Sequence, residues 1–269
     1  MRGFPVVGLL LASTSAAGAV VQTPSQARCT YSAERTVTLA ASASRQLRLE
    51  AGSGELDVVG VAGLDQVRAV GRACASDEDY LQDLQLTLEA RGEDIALTAH
   101  YPDRTGRSWF GEDYARIDLR VEIPKGMSVD LEDSSGGMTV AGTGELHIFD
   151  SSGSIRVEDV AGRLSIRDSS GEISISRVQG DVDIEDGSGG IDVQDVTGSV
   201  RLDDGSGEMS VTGVERDVTV ADDGSGSIEV RDVTGDFTVR HDGSGSIRYS
   251  SVQGSVDVPR DRRGRRRGW

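Results

Sequence analysis

The chain has 269 residues, 35 of them glycine and only 4% aromatic, with a formal charge of −17. Apolar residues make up 36% and stand in regular alternation, which excludes a disordered chain and leaves enough material for a real core. An acidic excess of this size argues against nucleic acid or an anionic membrane as the main partner.

Residues 1–19 read as an export signal: Arg2, an apolar run from Phe4 to Leu11, then small residues ending Ala17-Gly18-Ala19. The run is too short to span a bilayer, no later stretch could span one, and neither cysteine sits in a Leu-x-x-Cys lipid-attachment pattern. The expected mature protein begins near Val20, has no transmembrane segment and is periplasmic or secreted. Residues 20–45 form a lead-in. Cys29 and Cys74 are the only cysteines, and in an oxidising compartment such a pair predicts a disulfide. A catalytic thiol is the competing reading, but no histidine lies near either one in sequence.

A β-solenoid domain is expected over 46–259. "AGSGELDVVGVAG" (51–63) already has the repeat's pattern, with Ala51 where later units carry Asp. After "QVRAVGRA" comes a short helix capped near Ser76 or Asp77, then two strands in "LQLTLEARGEDIALTAHYP" around Arg91–Asp94. The segment "YPDRTGRSWFGEDY" (101–114) holds Tyr101, Trp109, Phe110 and Tyr114, four of the chain's eleven aromatics. It reads either as a loop folded over the solenoid's open end or side, or as a platform for a sugar or peptide. "ARIDLRVEIPKGMSVDLEDSSGG" leads into the regular units.

From Asp133 onward a unit D-(S/G)-S-G-x-φ-x-φ-x-x-V-x-G-x-φ-x-φ-x, with φ apolar, starts at Asp133, Asp150, Asp168, Asp186, Asp204, Asp223 and Asp242, at intervals of 17 to 19 residues. Each half carries a φ-x-φ triplet, such as Ile155-Arg156-Val157 and Leu164-Ser165-Ile166, whose alternation puts both apolar side chains on one face of a short strand. Such strands cannot bury a face alone, but stacked rung on rung they can. The expected fold is all-β, a single-stranded parallel β-solenoid (β-helix) with rungs of about 18 residues, regular over 133–258, and an irregular disulfide-tied N-terminal part. Residues 260–269, "RDRRGRRRGW", form a basic tail expected to be disordered and solubilising; an affinity for anionic lipid or polysaccharide is the alternative.

The run "VEIPKGMSVDLEDSSGGMTVAGTGELHIFDSSGSIRV" resembles the bacterial putative-adhesin family of exported β-strand-repeat domains of unknown function, in which a P-K-G turn introduces S-G-x-I-x-V repeats. "GRACAS" together with Cys29 is similar to one exported branch of that family. The resemblance implies the β-helix and an envelope location, and brings no catalytic residues.

The corner acids carry the sharpest chemical question. Asp150, Asp168, Asp186, Asp204, Asp223 and Asp242 should stack about 5 Å apart, joined on two rungs by Asp203 and Asp222, and such a column could attract a divalent cation. Calcium solenoids place a ligand aspartate after the turn glycines, whereas here Ile228 or Ile247 follows "GSGS". The simpler reading is a turn in which Asp accepts a bond from an N–H two residues on and Gly takes a positive φ. A phosphate loop is excluded because a strand, not a helix, follows each "GSGS". The middle residues Thr139, Arg156, Ser174, Asp192, Ser210, Glu229 and Arg248 on one face, and His147, Ser165, Asp183, Arg201, Thr219, Thr238 and Asp257 on the other, form mixed ladders that suit solvent rather than a lattice. His100, His147 and His241 have no metal spacing, and no G-x-S-x-G elbow is present. The expectation is a non-enzymatic envelope protein, adhesin or scaffold, without cofactor, whose partner is a surface glycan or protein. A calcium-binding solenoid is the alternative and a polysaccharide-acting enzyme the third.

Overall fold

A computed structural model describes residues 29–41, 46–102 and 113–259. The expected signal, Trp109, Phe110 and the basic tail lie outside the described residues. The solenoid is present as expected. Each repeat lays one strand in each of two 11-stranded sheets. In one sheet Leu146–Asp150, Leu164–Asp168, Val182–Asp186, Val200–Asp204, Val218–Asp223 and Phe237–Val239 follow one another. In the other, Ile155–Val160, Ile173–Val178, Ile191–Val196, Gly207–Val214, Gly226–Val233 and Gly245–Val252 do the same.

Every pairing among these is parallel and keeps equivalent positions together, as in Ile173↔Ile191↔Met209 and Leu164↔Val182↔Val200. The alternation of each φ-x-φ triplet is the cause: both φ side chains are buried and form one continuous apolar column per position. A one-residue slip would turn all of them out to water. The 19-residue interval after Asp204 is absorbed by a register shift between Leu202 and Asp203, which leaves the Asp204↔Asp223 pairing intact. The outward ladders also pair as expected, including Asp183 beside Arg201 and Glu229 beside Arg248.

The corner glycines are dictated by close approach. Gly171 has φ +148°, and a Cβ there would lie 1.6 Å from the carbonyl oxygen of Gly153 one rung away. Only glycine can hold both that backbone conformation and that contact.

The N-terminal part departs from chain order. Strands β1 (Tyr31–Ala40), β2 (Gln46–Glu50), β3 (Leu56–Val61) and β4 (Gln66–Ala75) are followed by helix α1 (Glu78–Asp83). Then come β5 (Gln85–Arg91), β6 (Asp94–His100), β7 (Ala115–Pro124), β8 (Ser128–Glu132) and β9 (Met138–Ala141). The helix is capped by Asp77, whose carboxylate accepts from the Asp79 N–H at 2.8 Å, and β5 and β6 are the two expected strands, paired antiparallel.

The rung made by β2 and β3 does not stand apart at the start of the solenoid. It lies between the rung of β6 and β7 and the rung of β8 and β9, with parallel pairings Leu47↔Ile95 and Leu47↔Val129 in one sheet and Leu56↔Leu119 and Leu56↔Met138 in the other. The Pro124-Lys125-Gly126 turn therefore steps over a rung already filled by residues 46–61. Beyond β6 and β7 the ladder reverses: β4 pairs antiparallel with β7 and β1 with β4, while β5 closes the other sheet. The Cys29–Cys74 disulfide ties the start of β1 to the end of β4 across 45 residues, with Cα atoms 5.5 Å apart.

Candidate functional site

The corner aspartates are not at the surface. Asp133, Asp150, Asp168, Asp186, Asp204 and Asp223 are exposed by only 0–7%, with their side chains directed into the coil. The signal was present in the sequence: in "LSIRD" the alternation that buries Leu164 and Ile166 also buries Asp168. Asp203 and Asp222 fall on the opposite parity; they pair with each other on the outer side and do not join the column. Asp242, near the last rung, is half-buried.

The turn chemistry is that of an Asx corner. Oδ1 of Asp150, Asp168, Asp186 and Asp204 accepts from the N–H of Ser152, Ser170, Ser188 and Ser206 at 3.1–3.3 Å. Oδ2 of Asp133, Asp150, Asp168, Asp186, Asp204 and Asp223 is buried without a hydrogen-bond partner. Burial raises every one of these carboxyls, to about 7 at Asp133 and about 6 at Asp204 and Asp223, and neighbouring carboxylates add to the shift for all but Asp168. Among the described residues no three acids, histidines or cysteines come together as a metal-holding group.

Beside the first rungs of this column the outer surface carries a recess of about 700 Å³, lined by Glu50, Glu132, Phe149 and Arg167 with the turn serines and, at its floor, the corner residues Asp133, Asp150 and Asp168. Phe149 is 41% exposed. It stands in an outward ladder Glu50↔Glu132↔Phe149↔Arg167↔Glu185. The Arg167 guanidinium lies 5.5 Å from the centre of the Phe149 ring and donates from Nε to Glu185 at 2.9 Å. Sequence reasoning did not single out Phe149; it is the residue between the inward Ile148 and Asp150, and so must face water.

The family model described as Toastrack DUF4097 matches residues 85–267. The chain belongs to the Toastrack DUF4097 family. This agrees with the β-strand-repeat resemblance in the sequence. No curated protein matches the chain. Solved structures similar to it include a putative cell adhesion protein from Clostridium sporogenes, 13% identical, covering 84% of this chain and 99% of that one, with a TM-score of 0.33. A putative lipid binding protein from Parabacteroides distasonis is 14% identical over 83% of this chain and 93% of its own, TM-score 0.45. A putative adhesin from Bacteroides fragilis is 11% identical over 84% and 96%, TM-score 0.34.

In this Toastrack chain the two described aromatics of the 101–114 segment serve as anchors. The Tyr101 hydroxyl donates to the Ser53 carbonyl at 3.1 Å and accepts from the Ser53 N–H at 3.0 Å, and burial pushes it up to about 12. Its ring fills the space beside Gly52, where a Cβ would lie 2.4 Å away. The Tyr114 hydroxyl accepts from the Thr30 N–H at 2.9 Å, next to Cys29. Both ends of the segment are thus fastened to the N-terminal part of the Toastrack fold. His147 lies 3.3 Å from Glu145 and His100 is bonded to Thr87 at 3.0 Å, so these two histidines serve separate local contacts.

Proposed function

We propose that the protein is a non-enzymatic exported envelope protein, an adhesin, that holds a surface glycan against the recess at Phe149. The observation that carries the reading is the exposed Phe149 ring standing between Glu132 and Arg167 in one ladder, above the recess. An aromatic face stacks on the C–H face of a sugar ring, while a carboxylate and a guanidinium beside it bond hydroxyl groups. A rigid sheet holds the three side chains at rung spacing, so the site needs little ordering on binding. The export signal and the family resemblance in the sequence support an envelope location, and the acidic body suits a neutral or basic partner. The cation reading has less support, because the acids that stack are buried and Asp150, Asp168, Asp186 and Asp204 have each committed one oxygen to their own turn.

The test is capture of the mature chain on purified peptidoglycan and surface polysaccharide. Phe149→Ala and Arg167→Ala should each weaken capture about tenfold, the loss expected for an aromatic or charged anchor worth about 1.4 kcal/mol, with little change in melting temperature. Capture that is unchanged in both variants would remove the recess from the binding surface.

A further inference from the structure

The inward column poses a problem of its own. Asp150, Asp168, Asp186, Asp204 and Asp223 are paired in register on successive rungs, buried, and each keeps an Oδ2 to which nothing donates. A row of buried carboxylates about 4.8 Å apart cannot all be ionised without a compensating charge. Among the described residues the charges acting on the column are carboxylates: its own neighbours, and Asp203, Asp222 and Asp242 beside Asp204 and Asp223. The facing sheet turns apolar residues such as Ile173 and Ile191 into the same core. On its own strands the outward Glu132, Arg167 and Glu185 point to solvent, and Arg167 is bound to Glu185. Tyr101, held at Ser53, lies near Asp133 at the first rung.

A divalent cation fits this arrangement poorly, because calcium takes 6–8 oxygen ligands and the inward carboxyls stand one to a rung. A proton does fit. Neutral Asp is both donor and acceptor, and the rung spacing less the width of a carboxyl group approaches the roughly 2.5–3.0 Å of an O–H···O bond.

We propose that the column is a proton-binding ladder: carboxyls on successive rungs hold protons and donate them to the carboxyl of the next rung, so that the coil is clamped in mildly acidic medium and loosened as the medium turns alkaline. The direction follows from linkage. A carboxyl whose value is raised in the folded state above the ordinary aspartate value near 3.9 binds more protons folded than unfolded. Its contribution is fully present below about 4 and is lost as pH rises through the folded values, about 6 at Asp204 and Asp223 and about 7 at Asp133. The ladder makes the rod a reporter of the pH around it; Asp133, Asp150 and Asp168 also line the Phe149 recess, whereas Asp186, Asp204 and Asp223 do not.

The experiment is thermal unfolding of the mature chain between pH 5 and pH 8. The native protein should lose about 5 °C or more over that range, a few kcal/mol at this size being a shift of that order. The triple variant Asp168→Asn, Asp186→Asn and Asp204→Asn, which fixes three rungs neutral, should melt above the native protein at pH 8 and show half the pH change or less. A charge-matched outer variant, Glu132→Gln, Glu185→Gln and Asp192→Asn, should keep the native pH change. An inner variant with an undiminished pH change, or an outer variant that loses it as fully, overturns the ladder. If the triple variant does not fold, Asp186→Asn alone and the infrared carboxylic-acid C=O band of the native protein at pH 6 decide: a band that weakens in the variant supports the ladder, and no such band overturns it. Melts at pH 8 with calcium and with chelator form the last arm. A calcium-induced rise of several degrees would transfer the column to a cation and overturn the proposal, and equal melts support it.

Discussion

Replacing Gly171 with alanine separates two reasons for a corner glycine, backbone conformation and close approach. At Gly171 φ is +148° and the added Cβ would lie 1.6 Å from the Gly153 carbonyl oxygen and 2.7 Å from its carbon. The colliding atom is backbone, so no rotamer change relieves it. The conformation alone costs about 1–3 kcal/mol in a non-glycine residue. Relieving the overlap means prising one rung from the next, which breaks hydrogen bonds such as Gly153 N–H to Ser170 O at 3.1 Å and Ile155 N–H to Glu172 O at 2.8 Å. Losing two such bonds costs about 1–3 kcal/mol each, so with the conformational cost the variant should lose about 3–9 kcal/mol. Gly63 is the control, with φ +76° and nothing within 4 Å of the place a Cβ would take. Gly63→Ala should lose about 1–2 kcal/mol, the cost of the left-handed region for an L-residue. Urea unfolding followed by circular dichroism measures both. Equal losses in the two variants would refute the claim that rung contact, rather than φ, selects glycine at the corner.

Ile191, 1% exposed between Ile173 and Met209, should cost about 2–5 kcal/mol as Ile191→Ala in the same urea assay, whereas the outward Asp192→Ala should stay within about 0.5 kcal/mol. Reducing the Cys29–Cys74 bridge, which closes a loop of 45 residues, should lower stability by roughly 3–4 kcal/mol, read as a fall in the melting temperature with reductant and reproduced by Cys29→Ser.

Much of this architecture is local and therefore legible in the chain. The 18-residue period, the φ-x-φ triplets and the parity of each strand name Leu164, Ile166 and Ile175 as core and Ser165 as surface before any rung is placed. The same parity, followed one step further, buries Asp168 and exposes Phe149, two facts that bear on function and that a reading of the turns as corners passes over. The α1 cap at Asp77 and the β5–β6 hairpin are likewise written in a few adjacent residues.

The order of the first rungs is a different matter. Residues 46–61 have the rung pattern, but that pattern is common to all rungs and says nothing about which two will be neighbours. Only the folded chain slots β2 and β3 between residues 94–124 and 128–141, with Leu56 against both Leu119 and Met138. The placement depends on how β1, β4 and β7 close the end by antiparallel pairing, on Tyr101 reaching Ser53, and on the Cys29–Cys74 bridge, all contacts between distant residues. Periodicity along the chain determines what a rung is and which way each side chain points; the choice of neighbour is a long-range competition among equivalent strand edges, and tertiary packing alone decides it.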